Sequence, residues 1–169
     1  IGLSSAINWS AEGDESDAEF GCSVASAGDV NNDGYADVIV GAQGYDVGGA
    51  VFVYLGSPAG LSPVSVWSYV TSQSGAGVGY SVSGAGDFNG DGFSDIVVGQ
   101  PYRDFGAEVD VGMALIYAGS AIGIGSNILS TYIGQVGAHD GYSVAGAGDV
   151  NGDGYSDMMV GARQYAQVR

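Results

Sequence analysis

Residues 27–42 read AGDVNNDGYADVIVGA and carry the main indication of the fold. This stretch places Asp29, Asn31, Asp33 and Asp37 within nine positions and then continues into an apolar β-branched run. Oxygen-bearing side chains crowded directly before such a run are compatible with three structures. They are a metal site, a polar turn between two strands, and part of a catalytic centre.

The same stretch occurs three times, which makes the chain a repeat protein. Residues 21–42, 79–100 and 141–162 align without gaps. The connecting segments 48–62 and 111–126 also match, apart from one extra residue in the second. Each repeat is therefore expected to be one supersecondary unit that buries its apolar face against its neighbours.

Short apolar runs, rich in valine, isoleucine, tyrosine and phenylalanine and separated by glycine-rich turns, predict strands. In the first complete unit they predict four strands, at 23–27, 38–41, 50–55 and 64–70. No stretch has sustained helical periodicity. The predicted fold is therefore all-β, built from four-stranded antiparallel units, and a β-propeller is the leading architecture. A shorter open stack and an assembly of several chains remain as alternatives.

The repeat boundaries predict about two and a half to three blades, hence a partial propeller. The opening residues resemble those at 60–68, which predicts that the chain starts with the fourth strand of a preceding blade. The last residues, ARQYAQVR, are a candidate third strand of the final blade. The predicted segments are 1–19 (end of a blade), 20–77 and 78–139 (two blades) and 140–169 (start of another).

The charge balance narrows the class of partner. The chain carries 19 acidic residues against 3 arginines and no lysine, for a formal net charge of −16. Such a field repels phosphate backbones and anionic lipid, so nucleic acid is not an expected partner. The sequence as given shows no leader and no apolar run long enough to insert into a membrane, although either could have been removed. With Cys22 as the single cysteine, no disulfide can form within the chain.

The acidic loop has the ligand spacing of a calcium site. Counted from Asp29, side-chain oxygens fall at positions 1, 3, 5 and 9, glycine stands at position 6, and the carbonyl of position 7 completes the ring. An all-oxygen set with three carboxylates favours a hard cation, calcium before magnesium or manganese. Position 12 is Val40 and not the glutamate of an EF-hand, so the loop is placed between a first and a second strand.

Three copies with one ligand pattern favour a metal over a solvated polar turn, which a single copy would leave open. Packed carboxylates repel one another, and a divalent ion reverses that sign. We therefore predict up to three structural Ca²⁺ ions. The predicted ligand sets are Asp29, Asn31, Asp33, Tyr35 and Asp37; Asp87, Asn89, Asp91, Phe93 and Asp95; and Asp149, Asn151, Asp153, Tyr155 and Asp157.

The repeated units resemble FG-GAP repeats, the calcium-binding blades of integrin α-subunit propellers. The Phe-Gly signature is present as Phe20-Gly21, the Gly-Ala-Pro signature is matched in part by Gly41-Ala42, and the DxNxDGxxD loops match in full. The resemblance implies structural calcium in the loops between first and second strands, on one face of a propeller. It also implies that ligands bind the opposite face, which loops 43–49, 71–79, 101–112 and 134–140 would build.

Loop 101–112 is the longest and most individual of these loops. Aromatic residues and arginine on loops are plausible contact residues, although an ordinary solvated insertion explains the loop equally well. The candidate ligand-binding residues are Tyr102, Arg103, Phe105, Glu108 and Asp110.

The sequence favours a binding protein over an enzyme. His139 is the single histidine and is expected to be exposed, Cys22 is expected to be a packing residue, and the clustered carboxylates are already assigned as metal ligands. The predicted function is an extracellular or cell-surface propeller module for adhesion or for protein or glycan binding. The alternatives are a structural subunit that completes a propeller with other chains, and an accessory propeller of a hydrolase or lyase whose catalytic domain lies elsewhere.

Overall fold

A computed structural model describes residues 7–164 of the chain. Within them lie ten strands and no helix long and apolar enough to cross a bilayer. The strands are β1 (Phe20–Gly28), β2 (Asp37–Ala42), β3 (Ala50–Tyr54), β4 (Trp67–Val70), β5 (Ser81–Gly86), β6 (Asp95–Gln100), β7 (Met113–Tyr117), β8 (Ile128–Ile133), β9 (Asp140–Gly148) and β10 (Asp157–Ala162).

The strands form three antiparallel sheets, and each sheet is one blade. Blade 1 has the order β1-β2-β3-β4, blade 2 the order β5-β6-β7-β8, and blade 3 contains β9 and β10. The first strands of the blades, β1, β5 and β9, lie side by side. This is the arrangement of a partial β-propeller, as the sequence predicts. The first strand of each blade is the innermost one.

Glycines on the second strands allow neighbouring blades to come into direct backbone contact. A Cβ on Gly41 of β2 would lie 2.0 Å from the carbonyl oxygen of Gly79, and a Cβ on Gly99 of β6 would lie 2.1 Å from that of Gly141. Only a residue without a side chain fits such a backbone-to-backbone contact. The high glycine content is therefore in part a requirement of blade packing.

The core lies between the blades. Ile39 and Val53 of blade 1 pack in one cluster with Ile96 and Val98 of blade 2, and all four are fully buried. A smaller cluster on the other face of blade 2 packs against partly buried residues of blade 3. Because the middle strands of blade 2 are covered on both faces, residues 96–99 of β6 and 113–116 of β7 are apolar runs without polar alternation.

Residues 7–19 form no strand, and residues 1–6 of the segment predicted to end a preceding blade lie outside the described part. Trp9 nevertheless packs edge-on against Tyr54 of β3, with ring centroids 5.1 Å apart. Trp67 of β4 packs in the same way against Tyr117 of β7, at 4.9 Å. Trp9 thus makes the contact with blade 1 that the outer strand of blade 1 makes with blade 2. The candidate last strand falls mostly in residues 165–169, outside the described part.

Candidate functional site

Each predicted metal loop joins the first and second strands of its blade, as expected, and is wound around its first aspartate. Asp29 Oδ1 accepts a hydrogen bond from the amide of Asp33 (2.9 Å), and Oδ2 accepts one from the amide of Gly34 (2.7 Å). Gly34 has a φ of +89°, which a residue with a side chain rarely adopts. The glycine at position 6 therefore makes the bend that turns the loop around this carboxylate.

The other two copies repeat this geometry. Asp87 accepts hydrogen bonds from the amides of Asp91 (3.0 Å) and Gly92 (2.9 Å). Asp149 accepts them from the amides of Asp153 (3.1 Å) and Gly154 (2.9 Å). The three loops have the same conformation although their surroundings differ, so the local sequence determines how they are wound.

Positions 3 and 5 are held against each other inside the loop. Asn31 Oδ1 accepts a hydrogen bond from the amide of Asp33 (3.3 Å), and Asn31 Nδ2 donates one to Asp33 Oδ2 (2.9 Å). Asp33 Oδ1 accepts from the amide of Tyr35 (3.0 Å). The side-chain oxygens of positions 1, 3 and 5 therefore belong to one small network of hydrogen bonds.

The aspartate at position 9 ties the loop to the body of the blade. Asp37, which is fully buried, accepts hydrogen bonds from the amides of Val30 (2.8 Å) and Gly56 (2.7 Å), one on each carboxylate oxygen. Gly56 follows β3, so this carboxylate joins the loop to the third strand.

Asp95 occupies the same position in blade 2 and is also fully buried. It accepts from the amides of Phe88 (2.9 Å) and Gly119 (2.9 Å), and Gly119 follows β7. Asp157 of blade 3 accepts from the amide of Val150 (3.0 Å) and is only half-buried. The described part of blade 3 ends before a third strand, so no residue in it takes the place of Gly56 or Gly119.

Ionisation of the buried position-9 carboxyls Asp37 and Asp95 is unfavourable, because the pKa of each is raised. Burial raises the pKa of Asp37, and the nearby charges of Asp33 and Asp29 raise it further, against the effect of the two amide hydrogen bonds. The pKa of Asp95 is raised for the same reasons. At position 1 of the exposed third loop, hydrogen bonds from the loop's amides, led by that of Gly154, lower the pKa of Asp149. A cation beside Asp37 and Asp95 would offset the cost of ionising them.

Among residues 7–164, no group of three or more His, Cys, Asp or Glu side chains is arranged so that it could hold a metal ion. The loop carboxylates turn toward the loop's own amides. The donor set nevertheless fits a hard cation, because it is all oxygen and repeats the spacing that calcium loops use. A carboxylate oxygen that accepts one amide hydrogen bond keeps a second lone pair, so the observed bonds do not use up its capacity.

The loops predicted to build the opposite face do lie together. The amide of Gly75 donates to the carbonyl of Val47 (2.7 Å), that of Tyr102 to Ala76 (3.2 Å), and that of Gly137 to Val109 (3.3 Å). Loops 43–49, 71–79, 101–112 and 134–140 are thus connected across two blade boundaries.

The predicted contact residues of loop 101–112 differ in how far they are exposed. Tyr102 is half-buried between the rings of Tyr80 and His139, at centroid distances of 5.8 and 5.3 Å. Arg103 donates from an Nη to Thr71 Oγ1 (3.1 Å), and its guanidinium lies 5.9 Å from the ring of Phe105. The side chains of Tyr102, Arg103 and Phe105 therefore stabilise the conformation of the loop.

Phe105, also half-buried, packs on the core between the blades. Asp110 Oδ2 lies 3.7 Å from His139 Nε2, whereas Glu108 is exposed. Of the five predicted contact residues, Glu108 is the one that the structure presents most openly to a partner.

The structure corrects two other expectations. His139 is not exposed: its side chain is only 15% accessible, and its buried Nδ1 has no hydrogen-bond partner in the described part of the chain. Cys22 is not a packing residue but is exposed, and its thiol donates to the carbonyl of Gly79 (3.5 Å). Residues 7–164 also contain a contact that sequence reasoning missed, between Asp29 and Ser94 of the next blade. Its only signal was a serine at position 8 of the second and third loops, where the first loop has Ala36.

Comparison with known proteins gives a family and a set of relatives. A family model described as "FG-GAP repeat" matches residues 20–54, 78–117 and 141–168. The chain is 35% identical to integrin alpha-6 of Gallus gallus over 161 residues, 39% identical to integrin alpha-7 of Homo sapiens over 153 residues, and 33% identical to integrin alpha-V of Gallus gallus over 179 residues. These alignments cover 89%, 85% and 95% of this chain but 14%, 12% and 16% of the relatives. The chain therefore corresponds to a small part of each relative.

Proposed function

Since the chain belongs to the FG-GAP repeat family, we propose that it is a calcium-stabilised extracellular β-propeller module for adhesion or for binding a protein or glycan. In this proposal the calcium ions are structural, one in each of the loops 29–37, 87–95 and 149–157. The matched integrin alpha subunits support the adhesion class.

The observation that carries the calcium proposal is the threefold repetition of one all-oxygen loop, with a fully buried position-9 carboxylate in two of the three copies. Asp37 and Asp95 are fully buried, and burial together with neighbouring carboxylates raises the pKa of each. Ions at these loops would offset that electrostatic cost and close the ring of oxygens at positions 1, 3, 5, 7 and 9.

Calcium is expected to raise the melting temperature. At about 100 times its dissociation constant, a ligand of the folded state adds roughly 2.7 kcal/mol per independent site, which for a chain of this size corresponds to about 5–10 °C. Differential scanning fluorimetry in Ca²⁺, in Mg²⁺ and in excess EDTA measures the shift. A melting curve that is the same in Ca²⁺ and in EDTA would contradict the proposal.

A matched variant assigns the shift to the loops. Changing the three exposed position-5 ligands to alanine, as Asp33→Ala with Asp91→Ala and Asp153→Ala, removes one carboxylate per loop and leaves the position-9 carboxylates in place. We expect this variant to fold in EDTA and to lose most of its response to Ca²⁺. A full response would place the calcium elsewhere.

We propose a binding role and no catalytic one. The Cys22 thiol donates its proton to a backbone carbonyl, and His139 is enclosed by its own loop beside Tyr102 and Asp110. The face of loops 43–49, 71–79, 101–112 and 134–140 is proposed as the ligand face. Glu108 would contact the ligand directly, with Asp110 beside it, while Tyr102, Arg103 and Phe105 would hold the loop in shape.

A further blade, from the same or another chain, is the second proposed partner. The outer face of blade 3 is open: Met159, which is 56% exposed, and Ala145 line a cleft of about 240 Å³, whereas Val144 and Val160 pack against blade 2. On blade 2, the equivalent face packs against blade 3. If blades from separate chains associate here, the 169-residue chain will show a concentration-dependent mass in light scattering. A strictly monomeric mass would exclude self-association.

A further inference from the structure

We propose that each metal loop is completed by the blade that follows it, through the serine at position 8 of the next loop. Ser94 of blade 2 serves loop 29–37, and Ser156 of blade 3 serves loop 87–95. The inference rests on the calcium function proposed above and assigns these serines as positioning residues. They do not bind the ion themselves but fix the aspartate at position 1 of the ligand set.

The contact between blades 1 and 2 holds both backbone groups of Asp29. Ser94 Oγ accepts a hydrogen bond from the amide of Asp29 (3.2 Å), and the amide of Ser94 donates to the carbonyl of Asp29 (3.0 Å). The Ser94 side chain also lies against Gly28, where an added Cβ would come within 2.5 Å of the hydroxyl. The first ligand of loop 29–37 is therefore positioned from the neighbouring blade.

The next blade boundary repeats the arrangement. The amide of Ser156 donates to the carbonyl of Asp87 (2.9 Å), and a Cβ on Gly86 would lie 2.4 Å from Ser156 Oγ. A serine side chain thus packs on the glycine before the loop at both boundaries. The recurrence indicates a device that belongs to the repeat and not to one pair of blades.

A second connection joins the same two loops. The amide of Ser120 donates to the carbonyl of Val30 (3.0 Å), and the amide of the preceding Gly119 donates to Asp95 Oδ1 (2.9 Å). The turn that positions Asp95, the position-9 ligand of loop 87–95, therefore also holds the second residue of loop 29–37. The start of loop 29–37 is therefore connected to the end of loop 87–95 by two separate contacts.

The third loop shows what is missing without a following blade. Among residues 7–164, nothing lies within 4 Å of the Cβ position on Gly148, where Gly28 and Gly86 meet a serine. Val150 is 71% exposed, whereas the equivalent Val30 is fully buried. A binding site whose ligands are already fixed loses less conformational entropy on binding. Loop 149–157, with no following blade in residues 7–164, is therefore expected to bind metal more weakly than loop 29–37.

The test uses Tb³⁺, a hard ion that replaces Ca²⁺ at oxygen sites and luminesces when a nearby tyrosine absorbs. Loops 29–37 and 149–157 carry a tyrosine at position 7, whereas loop 87–95 carries Phe93. In a Tyr155→Phe background, Tyr35 is the one position-7 tyrosine, so its sensitised emission reports loop 29–37. Adding Tyr35→Phe should abolish this signal and so confirms the assignment.

In that background, Ser94→Ala is expected to weaken Tb³⁺ binding at loop 29–37 by about fivefold, the size of one neutral hydrogen bond. Ser94→Thr, which keeps the hydroxyl, should restore the affinity. Ser156→Ala should leave the Tyr35 signal unchanged, because that serine contacts the other loop. Alanine is tolerated at this position of the repeat, since Ala36 occupies it in blade 1.

The outcomes separate this inference from the calcium function. Unchanged Tb³⁺ affinity in Ser94→Ala would overturn the positioning role and leave the calcium loops intact. An equal loss in Ser94→Ala and Ser156→Ala would also overturn it, because the effect would then be general destabilisation. If the unmodified chain gives neither Tb³⁺ emission nor stabilisation by Ca²⁺, both this inference and the calcium function are wrong.

Discussion

Gly41→Ala is expected to destabilise the chain by at least about 3 kcal/mol, at the upper end of overpacking costs. The added methyl group would stand 2.0 Å from the carbonyl oxygen of Gly79 and 2.9 Å from its carbonyl carbon. Both atoms belong to backbone, so no side chain can rotate away, and blade 2 has to shift from blade 1. Urea unfolding in Ca²⁺, followed by tyrosine and tryptophan fluorescence, measures the loss. Gly99→Ala should behave in the same way at the boundary between blades 2 and 3, because its Cβ would lie 2.1 Å from the carbonyl oxygen of Gly141.

Two glycines serve as controls for this prediction. Gly161 occupies the same repeat position in blade 3, but its Cβ would meet the Ser143 hydroxyl, which can rotate. Gly125 has no neighbour closer than 3.8 Å and no positive φ. Gly161→Ala should cost less than Gly41→Ala, and Gly125→Ala should change stability by no more than about 0.5 kcal/mol. If Gly41→Ala unfolds at the same urea concentration as Gly125→Ala, the close approach of the blades is wrong.

The second large effect is expected for Asp95→Ala. Alanine leaves the amides of Phe88 and Gly119 without their acceptor, and each unsatisfied buried donor costs about 1–3 kcal/mol. Burial of the ionised carboxyl, which raises the pKa of Asp95, offsets part of this cost. We expect a net loss of roughly 2–4 kcal/mol, seen as a melting temperature lower by about 5–15 °C. The measurement is made in excess EDTA, so that lost metal binding does not contribute.

Asp157→Ala is the matched control. This carboxylate is half-buried and accepts from the amide of Val150 alone among the described residues, so its loss should cost about 1 kcal/mol. Asp95→Asn keeps one acceptor oxygen and should fall between the two. Equal losses for Asp95→Ala and Asp157→Ala would mean that the link from the loop to Gly119 contributes nothing to stability.

The raised pKa values of Asp37 and Asp95 also predict a pH dependence in EDTA. A carboxyl whose pKa is higher in the folded than in the unfolded state binds more protons when folded. Its contribution is fully present below the unfolded pKa and is lost as the pH rises through the folded pKa. Asp149, whose pKa is lowered, acts in the opposite direction and is exposed. Without metal, the wild-type melting temperature should therefore fall as the pH rises above that unfolded value, and Asp95→Ala should flatten the fall. A wild-type melting temperature in EDTA that does not change as the pH rises above the unfolded pKa would contradict this prediction.

Much of the fold follows from the sequence. The three copies of the loop, the four strands of each complete unit and the two strands of blade 3 were predictable, and the strand bounds differ by at most a few residues. The winding of the loops was predictable as well, since the hydrogen bonds from Asp33 and Gly34 to Asp29 span four and five residues. Such contacts lie within one short segment, and residue types at fixed spacing are enough to specify them.

The repeat, the strands and the local shape of each loop follow from residue types and spacings within short segments. Which copies are buried depends on the tertiary structure. It encloses Asp37 and Asp95 but leaves Asp157 half-exposed, it covers Val30 and exposes Val150, and it places Ser94 on Asp29 across 65 residues of chain. The loops carry the same side-chain ligands at positions 1, 3, 5 and 9, so the difference in burial comes from the neighbouring blade. Contacts between blades join residues far apart in the chain through backbone groups that every residue carries, and no local spacing of side chains reveals them.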